Sequence, residues 1–376
     1  MSGLPSSRVS LPAETRALRT ILGVVWLLAI ILFVVYLGAM LVSLVLVSPG
    51  IVQGIVQGTC SACTAFLFWI NPLSPTLFQF VEFGGTALLV WFSIVLAVIF
   101  SLFGYLFLFH ARGTYRDMRL PPERVAQKLA SRSPIVAVGQ IFMAILFFNT
   151  IYIAYILPAL GVEPVLPPFF TNAPAWFILF TVVNATVWEE LAFRVLLIGV
   201  PLVLASLVTR LPQTLSGQPA HGESRSRYLV GSFKYLFGGQ VHEGSSRTAI
   251  LVGAGLVLIS AIIFGYLHVP GSGAWRFVNT FISGLAMGYL FLRHGLLASI
   301  LFHLSVNSLG IMEELAAPNL VSTALFGLLL WALVAFGAGF LAYYAKRVGG
   351  FLLRPLIGTR RRPVSAPQPN PRPSNP

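Results

Sequence analysis

The chain has 376 residues, of which 57% are hydrophobic and only 9% are charged, and its formal net charge is +13. A water-soluble domain has about 25% charged residues, so this composition excludes a soluble globular protein. Apolar runs of about 20 residues, the length at which a helix crosses a bilayer, recur along the chain and identify an integral, multi-pass membrane protein.

Eight apolar stretches follow one another, and they predict an all-α polytopic membrane protein with about eight transmembrane helices. The first is too long for the core of a signal peptide, and no small-residue cleavage motif follows it. The sixth and seventh would be helices of about 24 Å, shorter than a hydrocarbon core of about 30 Å, so seven and nine helices are the alternatives. The stretches are residues 21–47, 86–109, 135–160, 175–208, 248–267, 277–292, 295–310 and 321–345.

Basic residues are distributed asymmetrically between the segments that connect these stretches. If the N-terminus is cytoplasmic, the inner segments hold 22 of the 24 Lys and Arg residues, and the exceptions are Arg194 inside a stretch and Arg276 on an outer connection. This bias follows the positive-inside rule and predicts that both termini are cytoplasmic. It also explains the net charge without nucleic acid as a partner, because basic loops face anionic lipid at the inner surface.

Three segments outside the helices carry further expectations. The first outer loop, residues 48–85, is apolar and is a candidate for dipping back into the membrane. Its Cys60 and Cys63 lack the two further ligands of a zinc site, since the loop contains no His or Asp, so a disulfide or two free thiols are favoured. Residues 227–237 are a candidate interfacial stretch, and residues 346–376 are predicted to be a basic, Pro-rich, disordered cytoplasmic tail.

The sequence WEELAFR, residues 188–194, places three ionisable groups inside the fourth stretch. Residues four apart share a helix face, so Glu190 and Arg194 are predicted to form a buried ion pair. Adjacent helical residues point about 100° apart, so Glu189 and Glu190 are not expected to face one partner, and Glu189 is left without a local one. An unpaired carboxylate in a low-dielectric site gains proton affinity and suits a general base. The structural alternative is that all three charges only hold helices together.

Two later stretches each carry a histidine. The fifth ends FGYLH, which places His268 four residues after Phe264, and the seventh contains HLSVN, which places His303 and Asn307 on one helix face. A single histidine in a membrane helix often serves only as a hydrogen-bonding group between helices. Two histidines together with an in-line Asn and an unpaired Glu favour a functional site.

These motifs together resemble the CAAX-processing and bacteriocin-processing family of intramembrane endopeptidases, and among its members the type II CAAX prenyl endopeptidase. The resemblance rests on E-E-x-x-x-R (189–194), F-x-x-x-H (264–268) and H-x-x-x-N (303–307), in that order on apolar helices. It covers a catalytic core of about residues 175–310. The preceding helices and loops (1–174) and the tail add nothing to it, and the last transmembrane helix is expected within residues 311–345.

The resemblance implies a role for each motif residue. Glu189 would polarise a water with help from His268, while His303 and Asn307 would hold that water or stabilise the oxyanion. Glu190, Arg194 and Phe264 would support the site structurally. Zinc is the alternative, with Glu189, His268 and His303 as ligands, but the chain has no H-E-x-x-H helix and Asn307 suits an oxyanion donor, so metal-independent catalysis is favoured.

The predicted function is cleavage of a peptide bond in a membrane-bound or lipidated peptide or protein substrate, for which a C-terminal prenyl-cysteine motif is one possibility. Membrane lipid is the further partner, and nucleic acid is not expected to be one. The alternatives are a proton-coupled small-molecule transporter and a non-catalytic immunity or scaffold member of the same family. Helix rises place Glu189 and His303 nearer the cytoplasmic face but His268 near the outer one. One site therefore requires the fifth helix to begin below the membrane surface, and we expect a cavity open to the cytoplasm.

Overall fold

The structure, a computed structural model, describes residues 13–56, 65–70, 78–164, 175–216, 224–241 and 245–353. Within these segments the chain is helical apart from one antiparallel two-stranded hairpin. Cys60, Cys63 and residues 354–376 of the predicted tail lie outside the described residues.

The first half of the chain forms long helices joined by short ones. In chain order these elements are α1 (Ala13–Val56), β1 (Ala65–Ile70), β2 (Phe78–Phe83), α2 (Gly85–Tyr105), α3 (Ala111–Met118), α4 (Val125–Leu129), α5 (Pro134–Ile151) and α6 (Leu157–Ala159), with π-helical turns at Leu106–His110 and Tyr152–Ile156.

The second half contains all the residues of the three sequence motifs. Its elements are α7 (Ala175–Glu190), a π-helical segment (Leu191–Gly199), α8 (Val200–Leu215), α9 (Arg225–Val230), a 3-10 turn (Gly231–Phe237), α10 (Arg247–Leu267), α11 (Val269–Ser272), α12 (Arg276–His294), α13 (Leu296–Asn307), α14 (Leu309–Ala316) and α15 (Leu320–Leu353). The candidate interfacial stretch is thus α9 with the 3-10 turn, and α15 continues eight residues into the segment predicted as tail.

All eight apolar stretches contain helix, and six helical runs in the described residues are long and apolar enough to cross a membrane. The predicted polytopic helical architecture is therefore found, but a count of eight spans is not. Polar residues such as Asn279 and Arg293 make the 19-residue α12 less apolar, and the 12-residue α13 is only about 18 Å long. The six runs are Glu14–Gly50, Gly85–Met118, Pro134–Ala159, Trp176–Leu215, Arg247–Leu267 and Leu320–Val348.

The first outer loop departs from a purely helical fold. α1 continues past residue 47 to Val56, and the hairpin pairs Ala65 with Phe83 at one end and Ile70 with Phe78 at the other. Both strands, AFLFWI and FQFVEF, are rich in aromatic residues, which favour extended backbone. The sequence analysis gave this loop no strands, because its apolar content alone suited a membrane-dipping segment equally well.

Helices α5 and α13 form the centre of the bundle. The first twelve residues of α5 are buried, as is almost all of α13 up to Ser305. α1 packs on this centre through Tyr36, whose ring lies 4.9 Å from that of Phe142 in a stacked arrangement. The short α13 is enclosed by other helices, and polar side chains on it are shielded from lipid.

Helices α10 and α12 lie antiparallel and approach closely through glycines of α12. A Cβ atom on Gly288 would lie 2.6 Å from the side chain of Val257, so only glycine fits there without a shift. The same register places Gly253 beside Leu292, near the end of α12. The first turn of α10 therefore extends beyond the end of α12.

Candidate active site

The three motifs meet where α7, α10 and α13 pack together. Glu189 and Glu190 are the last two residues of α7, and the π-helical segment that follows carries Arg194. His268 caps the C-terminal end of α10, and His303 lies one turn before the end of α13.

Glu190 is completely buried, and both of its carboxylate oxygens have partners. Arg194 Nε lies 3.4 Å from Oε2, which is the predicted ion pair. Ser299 Oγ donates to the same oxygen, and His303 Nδ1 donates to Oε1 over 3.0 Å. Glu190 therefore connects α7 to α13 as well as balancing the charge of Arg194.

One expectation about the two glutamates is wrong. The angle of about 100° between adjacent helical residues predicts that Glu189 and Glu190 do not face one partner. His303 faces both, with Nδ1 at Glu190 and Nε2 3.7 Å from Glu189 Oε2. This is possible because the two nitrogens of an imidazole ring point in different directions, so one ring inserted between two carboxylates contacts each.

Glu189 differs from its neighbour in having an unused oxygen. Its side chain is 16% exposed, and Oε2 is buried without a hydrogen-bond partner. The separation of 3.7 Å from His303 Nε2 is longer than a hydrogen bond. The site thus contains one saturated carboxylate and, next to it, one carboxylate that is available to a further ligand.

Arg194 is held on its other side by α10. Its Nη1 donates to Ser260 Oγ over 2.7 Å, and Ser260 Oγ donates to the Phe193 carbonyl over 2.8 Å. The guanidinium carbon also lies 5.4 Å from the centre of the Phe264 ring. These contacts fix the position of the charge that balances Glu190.

Phe264 contacts both histidines. Its ring centre lies 4.6 Å from that of His268 and 5.9 Å from that of His303. His268 is half-buried, and its Nδ1 donates to the Phe264 carbonyl over 2.8 Å. The structure therefore brings Glu189, Glu190 and His303 into direct contact, and His268 contacts the same phenyl ring as His303.

Asn307 ends α13 one turn after His303 and is half-buried. Its side chain makes no hydrogen bond to another residue in the described ranges. It lies on the predicted helix face, but its amide is not engaged by the two glutamates.

Arg276 is a further residue of the site that was not predicted from the sequence. Burial lowers the pKa of this arginine, and the negative charge of Glu189 opposes that shift. Its Nε is buried without a hydrogen-bond partner, and within the described chain no carboxylate lies within 4.0 Å of its guanidinium. The signal in the sequence was its position, since it is the one basic residue on a predicted outer connection.

Three hydroxyl groups were also missed. Ser299 lies four residues before His303 on α13, so its helix face gave a signal, and Ser260 precedes Phe264 by four residues in the same way. Tyr36 gave none, because it belongs to α1, outside the motif region, yet its hydroxyl donates to the Ser305 carbonyl. α1 therefore helps to position the segment of α13 that carries His303.

The candidate zinc ligands are Glu189, His268 and His303. Within the residues that the structure describes, no group of three or more His, Cys, Asp or Glu side chains is arranged to hold a metal. One ring nitrogen of His303 is committed to Glu190, and one of His268 to a backbone carbonyl. Glu189, His268 and His303 thus do not form a ligand set for a metal in this arrangement.

Comparison with known proteins agrees with the motif region. A family model described as "Type II CAAX prenyl endopeptidase Rce1-like" matches residues 171–309, just over a third of the chain. No curated protein and no solved structure matches significantly.

Proposed function

We propose that this chain is an intramembrane endopeptidase that acts on a membrane-associated substrate. Its residues 171–309 match the family model of the Rce1-like type II CAAX prenyl endopeptidases. The observation that carries the proposal is the unequal state of the adjacent glutamates. Glu190 is saturated by three partners, whereas Glu189 Oε2 has no hydrogen bond and faces His303 Nε2.

That arrangement favours a water molecule at Glu189. In the neutral form of His303 that the proposal uses, the proton lies on Nδ1, which donates to Glu190, and Nε2 presents a lone pair. A carboxylate and a lone pair facing each other are two acceptors without a donor. A water that donates one hydrogen to each satisfies both, and its own lone pair then points away from them, towards a substrate carbonyl.

The proposed reaction uses that water as the nucleophile. The water oxygen bonds to the carbonyl carbon of the substrate, and one water proton moves to Glu189. The π-electron pair of the carbonyl group moves to the carbonyl oxygen, which becomes the oxyanion. When the carbonyl reforms, the carbon–nitrogen bond breaks and the leaving nitrogen takes the proton from Glu189. His268, whose ring contacts that of Phe264, would help to orient the water. The amide of Asn307 would donate a hydrogen bond to the oxyanion.

Arg276 would keep the charge of the site balanced through this reaction. Before attack, the positive charge of Arg276 is stabilised by the negative charge of Glu189. After attack Glu189 is neutral and the negative charge resides on the oxyanion, so the same guanidinium stabilises the intermediate. Its Nε, which has no hydrogen-bond partner, would be a donor to that oxyanion.

Replacing Arg276 with Gln is therefore expected to lower kcat by about 10²-fold, the cost of losing one donor to an oxyanion, with little change in KM. Arg276→Lys keeps the charge and should recover most of the loss. Steady-state cleavage of a fluorogenic peptide in detergent micelles measures both constants. A rise in KM at unchanged kcat in Arg276→Gln would mean that Arg276 binds the substrate instead.

Access and topology follow as proposals from the charge distribution. The predicted inner segments carry nearly all basic residues, so we propose that both termini are cytoplasmic. The expected cytoplasmic mouth of the site is at odds with His268 and Arg276, which lie at the outer ends of α10 and α12 in this topology. A substrate anchored by its own lipid would then enter laterally from the bilayer. The prenylated C-terminal motif implied by the family is the substrate that this arrangement would take.

Cleavage of defined peptides by the purified full-length protein tests the proposal. We expect a peptide with a C-terminal prenyl-cysteine motif to be cut, the same peptide without the prenyl group to be cut more slowly, and a chelator to leave the rate unchanged. Mass spectrometry of the products identifies the bond. Proton uptake into liposomes without any peptide cleavage would favour the transporter instead, and activity lost to chelation and restored by zinc would overturn the metal-independent mechanism.

A further inference from the structure

The fourth apolar run, Trp176–Leu215, is longer than one membrane crossing needs. α7 has 16 residues and the π-helical segment after it has nine. Together they rise by about 35 Å, which already exceeds a hydrocarbon core of about 30 Å. α8 adds 16 further residues, or about 24 Å of helix. α8 is therefore not needed for the crossing.

Backbone contacts fix the level at which α8 begins. A Cβ atom on Gly199, the residue before α8, would lie 3.1 Å from the Leu236 carbonyl oxygen. Three residues further along, Gly239 donates its N–H to the Phe291 carbonyl over 2.8 Å. Phe291 lies in the last turn of α12, which ends at His294. α8 therefore begins close to the C-terminal end of α12, where the crossing of α12 is complete.

One face of α8 is apolar and exposed. We call it the apolar stripe and define it as Leu204, Val208, Leu211 and Leu215, all of which are exposed. With about 100° between successive helical residues, these four side chains fall within a sector of about 60°. Apolar side chains gathered in so narrow a sector mark an amphipathic helix with one face against an apolar medium.

The opposite face of α8 is polar and packs on α9 and the 3-10 turn. Ser206 Oγ and Ser232 Oγ share a hydrogen bond of 3.0 Å, and Arg210 donates to the Tyr228 carbonyl over 2.6 Å. The Tyr228 hydroxyl donates to Gln213 Oε1. Within the described chain, α8 packs mainly on these segments and on the π-helical segment, and not on the other spanning helices. The apolar stripe is thus turned away from the contacts that hold α8.

α9 and the 3-10 turn add apolar and basic side chains that are also exposed. Val230, Phe233 and Phe237 are exposed, and so are the neighbouring Arg227 and Lys234. Residues 200–216 and 224–241 contain no Asp or Glu. Aliphatic and aromatic side chains on one face, with basic residues beside them, are typical of helices that lie in the interface of an anionic bilayer.

We propose that α8, with α9 and the 3-10 turn, lies in the plane of the membrane on the predicted cytoplasmic side and inserts the apolar stripe among anionic phospholipids. The π-helical segment and Pro201 allow the change of direction, because helices bend at π-bulges and prolines. A straight continuation would instead carry the apolar stripe into water. The other occupant would be a second copy of the chain, but the apolar stripe spans less than two heptads and a coiled coil needs about three to four. The proposal does not depend on the peptidase activity.

The depth of spin labels tests the orientation of α8 in the full-length protein, in nanodiscs of phosphatidylglycerol and phosphatidylcholine. In a background with Cys60→Ser and Cys63→Ser, single labels are attached through Leu204→Cys and Leu215→Cys. We expect equal depth at both positions, with stronger relaxation by oxygen than by a water-soluble nickel complex. Thr209→Cys is the matched control, since Thr209 is exposed beside the apolar stripe, and the nickel complex should reach its label.

Two results would overturn the in-plane orientation. One is a difference in depth of about 16 Å between the labels at 204 and 215, the rise of a helix that runs along the membrane normal. The other is equal access of the nickel complex to the apolar stripe and to the control position. Strong spin–spin coupling between the labels of two chains would overturn lipid as the occupant and identify a second copy instead.

The charge of the lipid tests the choice of partner. A fluorophore attached through Phe237→Cys in the same background is quenched by brominated phosphatidylglycerol in competition with phosphatidylcholine, and we expect a preference for the anionic lipid. Lys234→Gln should lower this preference by about 5-fold, which corresponds to about 1 kcal/mol for one basic residue at an anionic surface. Arg116→Gln, at an exposed position on α3, should leave it unchanged. No preference in the parent protein, or equal losses in the two variants, would overturn the anionic lipid as the partner.

Discussion

Glu189→Gln is expected to lower peptidase turnover by about 10²–10⁴-fold, the contribution of a positioned general base. The amide has nearly the shape of the carboxylate but cannot accept the proton of the attacking water. Since Glu189 Oε2 makes no hydrogen bond in the folded protein, replacing this oxygen with an amide group breaks no hydrogen bond at that atom. We therefore expect unchanged yield and unchanged thermal unfolding in detergent, with turnover measured on the same preparation.

A matched control is Glu163→Gln, which removes a carboxylate from an exposed position outside the motif region. It should retain wild-type turnover. Glu189→Gln with more than a tenth of wild-type activity would contradict the assignment of Glu189 as the base.

Glu190→Gln is expected to destabilise the fold by about 3–5 kcal/mol, the cost of breaking a buried ion pair by removing one partner. Arg194 is fully buried, so without the carboxylate its charge has no exposed surface at which to be solvated. The hydrogen bonds from Ser299 and His303 would also lose their charged acceptor. The yield of folded protein and the midpoint of unfolding in denaturing detergent report this loss.

The double variant Glu190→Gln, Arg194→Met separates stability from catalysis. Removing both charges of a buried pair is often neutral or stabilising, so the double variant should recover much of the folded protein. Its turnover should stay low, because His303 still lacks the carboxylate that fixes its ring and tautomer. Equal losses of folded protein in Glu189→Gln and Glu190→Gln would contradict the division of roles between the two residues.

Much of this molecule was predictable from local sequence. Low charge and long apolar runs identified a helical membrane protein, because a spanning helix satisfies its own backbone within one continuous segment. The pairing of Glu190 with Arg194 was predictable because residues four apart share a face. Arg276 attracted notice as an exception to the charge distribution, although its place beside Glu189 was not foreseen.

The tertiary structure alone decided which glutamate is saturated and which is available. Glu190 meets Ser299 and His303 across 109 and 113 residues of sequence, and Tyr36 meets Ser305 across 269. Helical periodicity describes neighbours within one helix and says nothing about the side chains of another. The π-helical segment from Leu191 to Gly199 further changes the spacing of faces just after the glutamates.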